Sequence, residues 1–446
     1  MGRRFFIETF GCQMNELDSE RIAGQLRYGG LQPACSAAEA DLIILNTCSI
    51  RDKAVQKVYS RLGELRSRKA REPGLMLGVV GCMAQLEGDR ILKKAPFVDL
   101  IAGPQKACAI EGLLAQRLSS GRPAADLRME EDTEPAESSE ILRESRWHAG
   151  VTISEGCDRR CSFCVIPYTR GRQRDRSSAR IVREIEGLVA QGCLEVTLLG
   201  QTVTSYRDPS EKHPRFARLL RRLAKIDGLE RIRFTAPHPN DFDDDLLVAM
   251  AELPQVCDHI HLPVQSGSTT ILRAMRRGYS REHYLDVVRK IKSAPRLMAI
   301  STDIIVGFPG ETDKDFEDTL SLLDTVQYDG VFSFKYSPRP STPAFGRGDE
   351  EVPEEKKRER LRILLERQRL IQYNKNAGYL GRNLQVLVDG KARTGFSLAG
   401  RASNNRIVNF DGPEELVGTI VPVEITGFGP NSLKGAWNRQ RLETTS

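Results

Sequence analysis

The chain has 446 residues, 40% of them apolar and 28% charged, with a net charge of +6, which is room for two or three domains with full cores. No apolar run reaches the roughly eighteen residues that a membrane span needs, and no basic-then-apolar leader opens the chain, so secretion and membrane insertion are not expected. Ten cysteines without a leader point to a reducing, cytoplasmic setting, where thiols bind metals or sit buried rather than pairing.

Residues 1–120 read as alternating strand and helix. Strands are predicted at Arg4–Phe10, Asp41–Asn46, Leu75–Val80 and Val98–Ala102, and helices at Glu16–Tyr28, Asp52–Leu65, Ala84–Leu92 and Lys106–Leu118. The near-continuous apolar run of the second strand is that of a parallel strand buried on both faces. The pattern predicts an open parallel α/β sheet. Cys12, Cys48 and Cys82 each follow one of the first three strands. Parallel strands end on one edge, where such sheets bind ligands, so the three thiols are expected to converge and could hold an iron–sulfur cluster. The alternative is that each is a small buried hydrophobe, a reading that suits Cys35, Cys108, Cys193 and Cys257.

Residues 121–146 carry prolines, serines and an acidic run, and read as a linker. From Trp147 to about residue 375, six strand-like segments recur with helices between them. They are Val151–Ser154, Glu195–Leu199, Arg231–Thr235, Asp258–Leu262, Met298–Val306 and Gly330–Phe334, and they suggest a partial (β/α)6 barrel with its chemistry at the C-terminal strand ends. After the first strand come Cys157, Cys161 and Cys164, spaced C-x3-C-x2-C. Three thiolates on a tight loop can hold three corners of a cubane cluster and leave the fourth iron open to a small molecule. A zinc knuckle would need a fourth ligand close by, and the next downstream Cys or His is Cys193. Phe163, Gln201, Thr235, Gln265, Asp303 and Gly307 sit on the same loop or at other strand ends, and are candidates for contacting a bound cofactor. His238, between two prolines, reads as loop structure. Eight arginines between Arg159 and Arg183 stand against one acid, a basic rim that suits a polyanion; Arg170, Arg172 and Arg174 are its candidate RNA contacts.

Glu354–Gln372 is predicted as a charged helix with Leu361, Leu364, Leu365 and Leu370 on one side. Residues 376–446, with strands at Leu384–Gly390 and Ile420–Gly427, read as a small β-barrel. Such a barrel is either a structural cap or an RNA binder. In the second case Arg393, Arg401, Asn405, Arg406 and Lys434 would meet phosphate, and Phe396 or Phe410 would stack on a base.

The C-x3-C-x2-C run with Phe163 resembles the radical S-adenosylmethionine (SAM) signature. The whole pattern resembles the methylthiotransferase family of those enzymes, with a three-cysteine N-terminal domain, a radical SAM barrel and a TRAM-like barrel. Asn46-Thr47-Cys48-Ser49-Ile50-Arg51-Asp52-Lys53-Ala54, Ser154-Glu155-Gly156-Cys157 and Asn405-Arg406-Ile407-Val408-Asn409-Phe410 are similar to its tRNA-modifying branch. The resemblance implies two [4Fe-4S] clusters, one on Cys157, Cys161 and Cys164 that binds SAM and one on Cys12, Cys48 and Cys82 that gives up sulfur. It implies methylthiolation at carbon 2 of an isopentenyl-modified adenosine beside the anticodon of tRNA. It also implies an external electron donor and iron–sulfur carrier proteins as partners of a monomeric enzyme. Other branches act on threonylcarbamoyl-adenosine or on a ribosomal-protein aspartate. The chain departs from the family pattern at Thr202 and Thr204, where asparagines are expected, and at Ala236-Pro237-His238-Pro239, where Ser-His-Pro is expected.

Overall fold

The computed structural model describes residues 3–49, 52–130, 134–135, 141–212, 215–393 and 395–438. Ile50 and Arg51 of the Cys48 motif, residues 131–133 and 136–140 of the acidic run, and the side chain of Cys108 lie outside the described residues.

The N-terminal unit comprises β1 (Arg4–Phe10), α1 (Gln13–Tyr28), β2 (Gln32–Pro33), β3 (Leu42–Thr47), α2 (Asp52–Arg71), β4 (Met76–Val80), α3 (Cys82–Lys94), β5 (Leu100–Ala102), α4 (Ile110–Ser120) and β6 (Ala124–Asp126). They form one parallel sheet in the order β2-β1-β3-β4-β5-β6. The apolar run of β3 is buried throughout, with Leu42 and Ile44 packing on one face and Ile43 and Leu45 on the other. The sheet extends past residue 120, because β6 lies inside the stretch read as a linker. Three residues beside a proline are too short to show a strand period.

The middle unit contains β7 (His148–Thr152), β8 (Ser154–Glu155), α5 (Ile166–Thr169), β9 (Arg174–Asp175), α6 (Ser178–Val189), β10 (Glu195–Leu199), α7 (Phe216–Leu223), β11 (Arg231–Phe234), α8 (Asp244–Glu252), β12 (His259–His261), α9 (Thr269–Ala274), α10 (Arg281–Lys292), β13 (Ala299–Val306), α11 (Asp313–Val326), β14 (Gly330–Lys335) and α12 (Glu354–Ala377). Two three-stranded parallel sheets, β7-β10-β11 and β12-β13-β14, are joined by a bridge between Ile232 and Val256. The result is a partial barrel of six parallel strands. Val196, Leu198, Ile232, Phe234, Ile260, Ile300 and Ile304 pack into the shared core with the helices. Their alternates Glu195, Thr197, Arg231, Arg233, His261, Ser301 and Asp303 turn to the lumen.

Helix α12 departs from its predicted face. Its buried positions are Lys357, Arg360, Leu364, Gln368, Ile371 and Asn376, while Leu365 and Leu370 are exposed. The true helical period runs through charged residues because carboxylates of neighbouring segments, one of them the buried Glu311, meet their charges. Arg360 pairs with Glu311 at 3.3 Å and with Asp313 at 2.8 Å, and Lys357 pairs with Glu351 at 2.9 Å.

The C-terminal unit is a closed barrel of β15 (Asn383–Lys391), β16 (Leu398–Ala402), β17 (Ile407–Asp411), β18 (Ile420–Phe428) and β19 (Leu433–Ala436), in the order β15-β16-β17-β19-β18. Val386, Val388, Val408, Phe410, Val421, Val423 and Ile425 fill it, so Phe410 is core and offers no stacking face. The barrel docks at the N-terminal strand ends of the middle unit. Arg231 donates to the carbonyls of Arg401 (2.9 Å) and Gln385 (2.7 Å), and Arg233 to those of Ser403 (3.0 Å) and Ala402 (2.8 Å). Among the described residues, no helix is long and apolar enough to cross a membrane.

Candidate functional site

The loop Gly156–Cys164 leaves the barrel through β7 and β8. Gly156 has φ +81°, and a Cβ there would lie 2.0 Å from the Arg172 carbonyl oxygen, so only glycine lets the loop turn. Gln201 braces the turn by accepting from Gly156 N at 2.6 Å. Each cysteine of the loop has a donor or hydroxyl beside its sulfur. Thr202 Oγ1 lies 3.4 Å from Cys157 Sγ, Arg277 Nη1 donates to Cys161 Sγ at 3.2 Å, and Ile166 N points at Cys164 Sγ at 3.5 Å. Burial pushes the Cys157 thiol up, and pushes Cys164 up to about 12 with Cys161 and Cys157 adding repulsion. Three thiolates crowded here need a cation among them, and metal coordination deprotonates such thiols.

Cys12, Cys48 and Cys82 leave adjacent strands of one sheet edge. Phe10 pairs with Thr47, Asn46 pairs with Val80, and Cys48 N donates to Phe10 O at 2.9 Å. Cys12 caps α1 and shares Asn15 Oδ1 with its own backbone; Asn15 is tied in turn to Asn46 at 3.1 Å and 2.8 Å. Cys82 opens α3 behind Gly81, whose φ is +92°. A hydrogen bond from Cys48 and the nearby Arg170 charge bring the Cys12 thiol down to about 6, against the effect of burial. Thr47 Oγ1 and Ser49 Oγ, on either side of Cys48, are buried without a hydrogen-bond partner among the described residues. They are donors that a sulfide-bearing group would satisfy. Among the described residues no three Cys, His, Asp or Glu side chains close on one metal ion. Tetrahedral zinc requires that convergence, whereas the corners of a cubane are spread apart. Each triad offers three thiols with hydroxyl, amide or guanidinium groups beside them, a donor set that suits an iron–sulfur cluster.

The edge of the N-terminal sheet lies over the barrel mouth. Met14, Leu17 and Leu199 pack together with Cys12. Arg21 of α1 donates to Glu155 at 3.4 Å and to Thr152 at 3.2 Å, and Arg170, just past the cysteine loop, pairs with Asp18 at 2.6 Å. These contacts hold the sheet edge that carries Cys12, Cys48 and Cys82 against the barrel end that carries the other cysteine loop.

The strand-end residues share the same rim. Phe163 packs with Ile271, Met275, Phe308 and Tyr336. Thr235 directly follows β11, its amide donating to Leu198 O at 3.2 Å. Gln265 holds φ +77° and exchanges backbone bonds with Asp303 and Ile305. Asp303 pairs with His261 at 3.3 Å, and Gly307, at φ +71°, donates its N–H to Glu311. His238 is buried and held far below the usual histidine range, at about 2, by burial and by Arg277 and Arg159. It stays neutral and braces the loop by accepting from Asn240 N at 3.3 Å.

The arginines need correction. Arg170 and Arg174 are buried, on Asp18 and on Glu155, and neither can meet a phosphate. Arg172 is exposed, with a long 3.6 Å contact to Asp158. Arg406 is buried on Asp329 (2.8 Å), Asn376 (2.8 Å) and the Tyr379 ring, and Arg401 folds onto its own loop at Asn405. Both lie in the seam that docks the C-terminal barrel. A basic run looks the same in sequence whether solvated or buried; the deciding carboxylates are distant in the chain. Beside the mouth a cavity of about 440 Å³ is lined by Thr204, Arg207, Lys212, Arg215, Asn240 and Asp241. Sequence reasoning singled out neither these basic residues nor Arg277, whose Arg-Arg-Gly loop carries no pattern of its own.

A partial parallel barrel with three closely spaced cysteines after its first strand defines a radical SAM enzyme, and residues 151–323 match the Radical SAM superfamily. Residues 4–103 match the uncharacterized protein family UPF0004, and residues 378–436 match the TRAM domain. In fold the chain is similar to the radical SAM methyltransferase TsrM of Kitasatospora setae, a structure with cobalamin and a [4Fe-4S] cluster bound (TM-score 0.53, 17% identity, covering 77% of this chain and 74% of that one). It is 47% identical to the tRNA-2-methylthio-N(6)-dimethylallyladenosine synthase of Solibacter usitatus over 97% of this chain and 98% of that protein. It is 44% identical to the synthase of the same name from Aquifex aeolicus, over 98% of each. The chain belongs to the tRNA-2-methylthio-N(6)-dimethylallyladenosine synthase family, radical SAM methylthiotransferases that use [4Fe-4S] clusters and SAM.

Proposed function

We propose that this chain adds a methylthio group at carbon 2 of N(6)-dimethylallyladenosine at position 37 of tRNA, next to the anticodon. The packing of the three-cysteine sheet edge against the barrel mouth beside the second cysteine loop supports this reading. Cys157, Cys161 and Cys164 would hold the cluster that binds SAM and supplies the electron to cleave it, and Cys12, Cys48 and Cys82 the cluster that supplies sulfur. The chain's own part is to bind and orient. Gly156 and Gln201 shape the cysteine loop, and Gln265, Asp303, Gly307, Thr235 and Phe163 offer polar and apolar contacts to SAM on the same rim. An aromatic C–H resists acid–base chemistry, so a radical route suits this substrate. An anticodon loop is single-stranded and can splay a base outward at little cost. Arg172 and the basic wall formed by Arg207, Lys212 and Arg215 would hold its backbone, in place of the buried Arg170 and Arg174. With tRNA as its substrate the enzyme would act in the cytoplasm, as a monomer, with an external electron donor and iron–sulfur carrier proteins.

Anaerobic reconstitution tests the division of labour. The wild type should bind about eight irons, and each triple-alanine variant about four. Alanines at Cys12, Cys48 and Cys82 should leave SAM cleavage to 5′-deoxyadenosine in place while abolishing methylthiolation. About four irons in the wild type would refute the two-cluster reading.

A further inference from the structure

Arg277 lies under the SAM-side cysteine loop with its fork fully engaged. Nε donates to Tyr279 Oη at 3.0 Å, Nη2 to Pro263 O at 3.1 Å and Nη1 to Cys161 Sγ at 3.2 Å. Tyr279 Oη donates onward to Val264 O at 3.0 Å, which fixes the assembly. Arg277 is buried, and no carboxylate pairs with it among the described residues. A buried cation without an anion costs several kcal/mol, and arginine does not shed its proton. The answering negative charge must therefore come from the sulfur side of the contact.

The other triad has a counterpart. Arg170 is 3% exposed and pairs with Asp18 at 2.6 Å, and its charge acts on Cys82 and Cys12. Asp18 is shared, since Arg21 lies 4.0 Å away on its other oxygen. Arg170 belongs to the cysteine loop's own domain yet serves the opposite triad.

We propose that each triad is served by one buried arginine that raises the reduction potential of the cluster held there, Arg277 through its hydrogen bond to Cys161 in the triad of Cys157, Cys161 and Cys164, and Arg170 through its charge beside the triad of Cys12, Cys48 and Cys82. The proposal rests on the assignment of a cluster to each triad. An N–H···S bond and a positive charge both favour the more negative, reduced state. Neither arginine is a catalytic residue; each acts through the cysteines beside it. Arginine suits the role because three fixed donors can be anchored at once, which a lysine ammonium on a flexible stem cannot match.

The test is a potentiometric titration followed by electron paramagnetic resonance, with each cluster observed alone in a chain whose other triad is alanine. Arg277→Gln should move the midpoint of the cluster on Cys157, Cys161 and Cys164 to more negative values and leave the other unmoved. Arg170→Gln should do the reverse, and the lysine variants should fall between glutamine and wild type. If a glutamine variant sheds iron, loss from its own triad alone, with lysine restoring it, supports the same service. Unchanged midpoints at full iron content, or equal effects of either variant on both triads, would overturn the proposal. A wild type that fails to load both triads would instead sink the cluster assignment itself.

Discussion

His238 shows how a residue's surroundings set its chemistry. Burial and the Arg277 and Arg159 charges hold its folded-state pKa near 2, below the unfolded value of 6.5. The unfolded chain takes up a proton that the folded chain refuses, so stability is lost as pH falls below about 6.5. By pH 5 this single group should cost about 2 kcal/mol. His238→Asn keeps an acceptor for Asn240 N and removes the titration, so its urea-unfolding free energy should gain about 2 kcal/mol on the wild type between pH 7 and pH 5. Parallel pH curves for the two proteins would contradict this. At this scale the sequence was half legible. Cysteines after strands announce their place because chain direction fixes which edge they reach. Arginines do not, because Arg170, Arg172 and Arg174 alternate in one run and only the distant Asp18 and Glu155 decide which of them are buried.

At the scale of elements, strands and their ends were readable from apolar runs and glycines, and the predicted and observed strands overlap in all six barrel positions. A short strand and the buried face of a charged helix were not readable. β6 has no room for a period, and α12 buries Lys357 and Arg360, whose compensating carboxylates lie elsewhere. The cysteine loop depends on one backbone position. Gly156→Ala would force an L side chain to positive φ and against the Arg172 carbonyl. It should cost about 1–3 kcal/mol and lower the iron bound at Cys157, Cys161 and Cys164. A variant with wild-type iron content and melting temperature would show that the loop does not need its turn.

Across the whole molecule, the N-terminal sheet closes the barrel mouth and the C-terminal barrel closes the opposite end. The second seam relies on guanidinium groups donating to carbonyls. Arg233 binds Ser403 O, Ala402 O and the buried Glu195 at 2.7 Å. Arg233→Ala would leave a buried carboxylate and two carbonyls short of a donor, at a cost of about 2–4 kcal/mol. Limited proteolysis should then cut between α12 and β15 while the remaining chain keeps its iron; resistance equal to wild type would mean the seam is held by other contacts. The docking role of the β16–β17 loop was illegible in sequence, because a lone domain gives no sign of which surface meets its neighbour.

Nucleoside mass spectrometry of tRNA from a strain lacking this chain tests the central claim most directly. The account predicts that 2-methylthio-N(6)-dimethylallyladenosine disappears while N(6)-dimethylallyladenosine accumulates, and that restoring the intact chain, but not one lacking either triad, brings the methylthio group back. Persistence of the methylthiolated nucleoside in the deletion strain would contradict it.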